Sequence, residues 1–164
     1  MRPPARKGSP HSIGAFVARP PAAFSLPVRV YYQDTDAGGV VFHGRYLSFF
    51  ERARTEWLRQ LGFDVRQLAE HDGLLFIVRE LRISYLRPAL VDDLLSVTAA
   101  IEHLGRVQFT LDQRVLRGAD LLVQGSVNLA CVSAQGLKPA RVPARVHAAL
   151  CRSAGHEIIH EEEV

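Results

Sequence analysis

The chain is short of several things, and each shortage narrows what it can be. In its 164 residues no apolar run approaches the roughly 18 that a membrane-crossing helix needs. No apolar segment with a small-residue cleavage site follows Arg2, Arg6 and Lys7, so no secretory leader is expected. Cysteine is scarce: Cys131 and Cys151 show no CxxC spacing, which fits two reduced thiols in a cytoplasmic protein better than a disulfide scaffold. There is no GxGxxG loop and no repeated strand–helix–strand unit, so a doubly wound nucleotide-binding fold is excluded. A basic surface on the folded part is lacking too. Arg2, Arg6, Lys7 and Arg19 all precede the first acid, Asp34, which leaves 16 of the 20 basic residues against all 17 acids. The net charge of +3 and the pI near 9.2 therefore come from the N-terminal stretch. Neither nucleic acid nor stable membrane insertion is an expected partnership.

What is present is the composition of a globular domain, 48% apolar and 23% charged. Residues 1–25 hold five of the nine prolines and read as a disordered tail. The same prolines would break the amphipathic helix of an organelle-targeting peptide. The domain is expected over 26–152, with a second tail over 153–164. Val28, Val30 and Tyr32 alternate with Arg29 and Tyr31, a strand pattern. Asp34-Thr35-Asp36-Ala37-Gly38-Gly39 forms an acidic, glycine-bearing turn. From Gly44 to Leu61, Tyr46, Phe50, Ala53, Trp57 and Leu61 recur at helical spacing, and Leu47 and Leu58 widen the stripe, which predicts a deeply buried helix. A short helix is expected over Val65–His71. Four strand runs follow, about 74–86, 93–103, 106–115 and 120–133. Gly105 and Gly118 punctuate the turns of an antiparallel meander, and a weak helix over Pro143–Arg152 closes the domain. The layer solution is an α+β fold, a curved antiparallel sheet of about five strands around one long central helix. Its unpaired edges predict a homo-oligomer, dimer or tetramer.

Segment 33–46 concentrates the chemistry. A carboxylate held in a turn can serve as base or nucleophile, and Asp34 and Asp36 both qualify. A helix starting near Gly44 offers amides without intrahelical acceptors, together with its dipole, to a developing oxyanion. Gly38 and Gly39 allow backbone to approach a ligand closely.

The run Arg29-Val30-Tyr31-Tyr32-Gln33-Asp34-Thr35-Asp36-Ala37-Gly38-Gly39-Val40-Val41-Phe42-His43-Gly44-Arg45-Tyr46 resembles the signature of the 4-hydroxybenzoyl-CoA thioesterase family of hot-dog proteins. More narrowly it is similar to the YbgC-type acyl-CoA thioesterases associated with the Tol-Pal system. Phe49 to Glu56, Phe76-Ile77-Val78-Arg79 and Tyr85-Leu86-Arg87-Pro88-Ala89 extend the likeness over about 26–145. The resemblance implies a hot-dog fold and hydrolysis of an acyl-CoA, without metal or other cofactor. It implies Asp36 as the catalytic acid, whether base or nucleophile, and leaves Asp34 to shape the turn. His43 would polarise the thioester carbonyl through its amide and help position acyl group or water through its ring. Gly44 and Tyr46, at the same helix start, are expected to contact substrate. The family's basic residues at the turn between the second and third meander strands reduce here to Arg106, the candidate contact for CoA phosphate. The site is expected at a dimer interface, and acyl carrier protein is a candidate partner.

Glu51 on the helix is a further acid, with pairing to Arg54 or another buried base as its structural role. Asp34-Thr35-Asp36 imitates the start of a calcium loop, but the twelfth position, where a bidentate Glu is needed, is Arg45. His156-Glu157-Ile158-Ile159-His160 matches a zinc-protease pattern, yet only Glu161, Glu162, Glu163 and Val164 follow to supply a third ligand. Two rival functions stay open. One is a weakly catalytic scaffold that binds acyl-CoA or acyl carrier protein in envelope or phospholipid metabolism. The other is an acyl-CoA hydratase on the same fold, which would call for a different Asp/His spacing.

Overall fold

The computed structural model describes residues 24–155. Five strands form one antiparallel sheet: β1 (Phe24–Arg29), β2 (Leu74–Tyr85), β3 (Leu94–Leu104), β4 (Gln108–Arg117) and β5 (Asp120–Ser133). Their spatial order is β1-β3-β4-β5-β2. Helix α1 (Arg45–Gln60) packs on β3, β1 and β4, α2 (Val65–His71) on β2, and α3 (Ala144–Ser153) on β3. The expected α+β architecture is what the chain forms.

Three details differ from expectation. First, only β3, β4 and β5 form a meander. The amides of Leu86 and Arg87 both donate to the Leu122 carbonyl, so the chain leaving β2 is held against the start of β5. The connection 86–93 then crosses the sheet end, where the Val41 amide donates to Ala89 and the Asp92 amide to Val30. It delivers β3 beside β1 and leaves β2 at the far edge. Second, β1 starts inside the stretch read as a tail, since Phe24 and Ser25 pair with Ala99 and Thr98. It also stops at Arg29, because the Asp34 carboxylate accepts the Tyr31 amide (2.9 Å) and turns residues 32–34 into a short 3-10 helix. Third, the buried stripe of α1 includes Phe49, fully buried, while Leu47 is 41% exposed. The zinc-protease pattern at 156–160 lies outside the described residues.

Local signals explain two of the element ends. Asp64 accepts the Arg66 and Gln67 amides and so starts α2. Gly118 takes φ +59 in the β4–β5 turn, a conformation that suits glycine in a tight hairpin.

The seat of α1 is built from two facing sheet residues. Gln113 on β4 and Gly125 on β5 are register partners on the inner face. The fully buried Gln113 amide donates to the Phe50 carbonyl (3.1 Å) and the Thr98 carbonyl (3.3 Å), and its oxygen accepts from Arg54 (3.1 Å). Gly125 leaves room for the Phe50 ring: a Cβ there would stand 2.6 Å from Phe50 Cε2. Burying Phe49 and Phe50 contributes about 2–3 kcal/mol each relative to exposure, so the first half of α1 is firmly anchored. Gly125→Ala is therefore expected to destabilise the fold by about 1–3 kcal/mol through overpacking, measured as a lower urea midpoint at unchanged m-value.

Candidate active site

The acidic turn separates its two carboxylates. Asp34 is 4% exposed, accepts the Tyr31 amide and forms an ion pair with Arg45 Nε (3.2 Å). Its backbone carbonyl accepts the Phe42 amide (2.9 Å), and Arg45 also donates to the Gln33 carbonyl (2.8 Å). Asp34 thus ties the turn to the first residue of α1. The guanidinium of Arg45 sits where a calcium loop would place its bidentate carboxylate. Asp36 is exposed, and its Oδ1 accepts the Gly38 amide (2.8 Å). Oδ2 has no protein partner among the described residues. Gly39 closes the turn at φ +73, and its amide donates to the Asp36 carbonyl. A Cβ at Gly38 would meet Asp36 Oδ1 at 3.0 Å, so that glycine makes space for the folded-back carboxylate.

His43 and Gly44 follow at the head of α1. The Phe42 carbonyl accepts the Arg45 amide (2.8 Å). The His43 carbonyl accepts the Tyr85 hydroxyl (2.9 Å). Among the described residues, no acceptor meets the His43 and Gly44 amides. Two neighbouring donors therefore stand open at a helix N-terminus, the arrangement suited to developing negative charge. A Cβ at Gly44 would lie 2.8 Å from Phe42 Cε1, so any larger residue there has to turn the half-exposed Phe42 ring aside.

A shallow pocket of about 260 Å³ adjoins this turn, walled by Val41, His43, Tyr46, Tyr85, Arg87 and Pro88. Tyr46 is 2% exposed, and its hydroxyl accepts the Ala89 amide (3.0 Å). Its ring forms the wall while its hydroxyl braces the 86–93 loop. Burial pushes the Tyr46 phenol above its ordinary range, with the Ala89 amide partly opposing. Phe50 and Phe76 do not join this pocket. Phe50 is buried on Gly125, and Phe76 packs edge-on to Phe109 (5.2 Å) beside a separate groove of about 350 Å³. Glu51 borders that groove as well. The direct partner of Arg54 is Gln113, not Glu51, and burial lowers the Arg54 pKa.

Arg106 does not join His43 within one chain. It lies in the β3–β4 turn, beyond the Gln108 end of β4, whereas Tyr85 and His43 lie at the Arg117 end. Those ends are roughly 30 Å apart along the strand. The residue to which sequence reasoning gave no role at the site is Tyr85, which shows there as a member of an alternating strand and of the segment Tyr85–Ala89 that extends the likeness.

A sequence profile described as the thioesterase superfamily matches residues 38–124. The chain belongs to that superfamily. The thioesterase fold here is the hot-dog fold: a probable thioesterase from Bartonella henselae, 41% identical, superposes with a TM-score of 0.71 over 74% of this chain and 99% of that one. The acyl-CoA thioesterase YbgC of Haemophilus influenzae is 48% identical over 126 residues, covering 77% of this chain and 93% of that protein. The acyl-CoA thioester hydrolase YbgC of Escherichia coli O157:H7 is 40% identical over 121 residues, covering 73% and 90%. The profile match takes in His43, Tyr85 and Arg106 and begins just after Asp36. Among the described residues no helix is long and apolar enough to cross a membrane.

Asp34 is the keystone of this thioesterase turn. Asp34→Ala leaves the Tyr31 amide and Arg45 without their partner and is expected to cost about 2–4 kcal/mol, read from urea unfolding. An unchanged midpoint would show that the turn holds without it.

Proposed function

We propose that this thioester hydrolase acts on an acyl-CoA, releasing free acid and CoA, with Asp36 as the catalytic carboxylate. The observation that carries the reading is the pair of open amides, His43 and Gly44, at the head of α1 in a chain of the thioesterase superfamily. The YbgC relatives named above support acyl-CoA as the substrate class. The substrate carbonyl oxygen accepts from these amides, which stabilise the charge it gains. Asp36 Oδ2 then acts by one of two routes. As a base it takes a proton from water, whose oxygen attacks the carbonyl carbon. As a nucleophile it attacks directly, and water cleaves the resulting mixed anhydride. In both routes the C–S bond breaks and the thiolate of CoA leaves and is protonated. Gly44, Tyr46 and the ring of His43 border the acyl group.

The working unit in this reading is a pair of chains. Strand β2 is a sheet edge with Ile77 and Val78 exposed. Two-fold pairing of β2 with a second β2 is antiparallel. It lays the His43 end of one copy beside the Arg106 end of the other, where Arg106 can meet a CoA phosphate. A cytoplasmic setting suits the free Cys131 and Cys151.

A second reading is a weakly catalytic scaffold for acyl-CoA or acyl carrier protein linked to envelope metabolism, as in the Tol-Pal association. One observation favours it: Tyr31, Tyr32, Phe42 and Leu86, all exposed, surround the turn and offer a docking surface. Kinetics separate the two. Asp36→Asn is expected to lower kcat at least 100-fold, in a release assay for free thiol over acetyl to palmitoyl and aromatic acyl-CoAs, with the melting temperature unchanged. Full activity of that variant on every substrate of the parent would dismiss Asp36. Failure of the parent to saturate with any acyl-CoA, alongside capture of acyl carrier protein, would favour the scaffold.

A further inference from the structure

We infer that the Tyr85 hydroxyl is a positioning group for the thioester reaction. It holds and polarises the His43–Gly44 peptide so that the Gly44 N–H donates to the substrate carbonyl oxygen. This rests on the hydrolytic reading above. Tyr85 is the last residue of β2, 42 positions from His43, and its hydroxyl donates to the His43 carbonyl at 2.9 Å. A trans peptide carries its C=O and N–H on opposite sides, and the described residues contain no cis peptide. Holding the His43 carbonyl therefore sets the direction of the Gly44 N–H. The neighbouring peptide is held differently, by the Arg45 amide on the Phe42 carbonyl, a bond local to the turn. Only the second peptide depends on a side chain delivered by the sheet.

Packing alone does not account for the hydroxyl. The Tyr85 ring lies 5.7 Å from the Tyr46 ring and edge-on to His43 at 6.3 Å, contacts that a phenylalanine would keep. Tyr85 is 46% exposed, so water could satisfy its hydroxyl without any help from the turn. Placed instead on the His43 carbonyl, the donor draws charge through the peptide and strengthens the Gly44 N–H, a cooperative gain of roughly 10–30% per bond. The oxygen of the tetrahedral species carries more charge than that of the bound thioester. The benefit therefore falls on kcat and not on KM.

The test compares parent and Tyr85→Phe on an acyl-CoA that the parent cleaves. Far-UV circular dichroism and melting confirm the fold. The expected result is a kcat lower by about 10-fold, a part of the 10²–10³ lost when such a donor is removed outright, with KM within about twofold. A second readout is the infrared band of a ¹³C-labelled thioester carbonyl bound to Asp36→Asn and to Asp36→Asn/Tyr85→Phe. The carbonyl should be less red-shifted in the double variant. A parental kcat in Tyr85→Phe, with or without a raised KM, overturns the inference and reduces Tyr85 to a pocket wall. Identical carbonyl bands in the two variants overturn it equally. Full turnover by Asp36→Asn alone would instead refute the reading of Asp36, and the Tyr85 comparison in the parent background would still decide its own question.

Discussion

The grip of the sheet on Phe50 is the constraint on which the remaining structure depends. Gln113 holds the Phe50 carbonyl, and Gly125, its register partner, admits the ring. Together they fix both the depth and the rotation of α1. A helix that is hydrogen-bonded through a main-chain carbonyl cannot slide along the sheet without taking the Phe50 and Arg54 partners from the buried Gln113, which keeps only the Thr98 carbonyl. The head of α1 stands about 9 Å from Phe50 along the helix axis, so the place of His43 and Gly44 is decided by that seat. Sheet and site are thus one mechanical unit.

Around the helix head, polar groups fall into two populations. Asp34, Arg45, the Phe42 carbonyl, the His43 carbonyl and the Tyr46 hydroxyl are all engaged. Asp36 Oδ2 and two amides are not, among the described residues. A fold gains nothing in stability from donors and acceptors left open, and such groups are what the proposed site needs. The engaged groups hold the backbone that carries the open ones, which in the proposed hydrolysis would present preorganised dipoles to the substrate.

Much of this was legible in the sequence, and the misses share a cause. Spacing identified α1 and alternation identified the strands, because both are local consequences of side-chain direction. The acidic turn and the helix start were readable for the same reason. The strand order was not, since β2 pairs with β5 across the intervening hairpin and only the 86–93 connection reveals it. Arg106 was placed correctly in a turn, yet which end of the sheet that turn occupies follows from the order. The alternation of Val30 and Tyr32 ran past the true end of β1 because a single carboxylate, Asp34, captures the Tyr31 amide. Tyr85 reaches His43 from 42 residues away, and no local pattern announces such a bond.

The proposed hydrolysis requires the His43 and Gly44 amides to receive the oxygen of the scissile carbonyl. The most direct measurement is a crystal structure with a ketone analogue of acyl-CoA, in which a methylene replaces the thioester sulfur. The ketone oxygen is expected within about 2.7–3.2 Å of one or both amide nitrogens, with Asp36 facing the carbonyl carbon. A ketone oxygen bound elsewhere, with both amides turned to solvent, would contradict it.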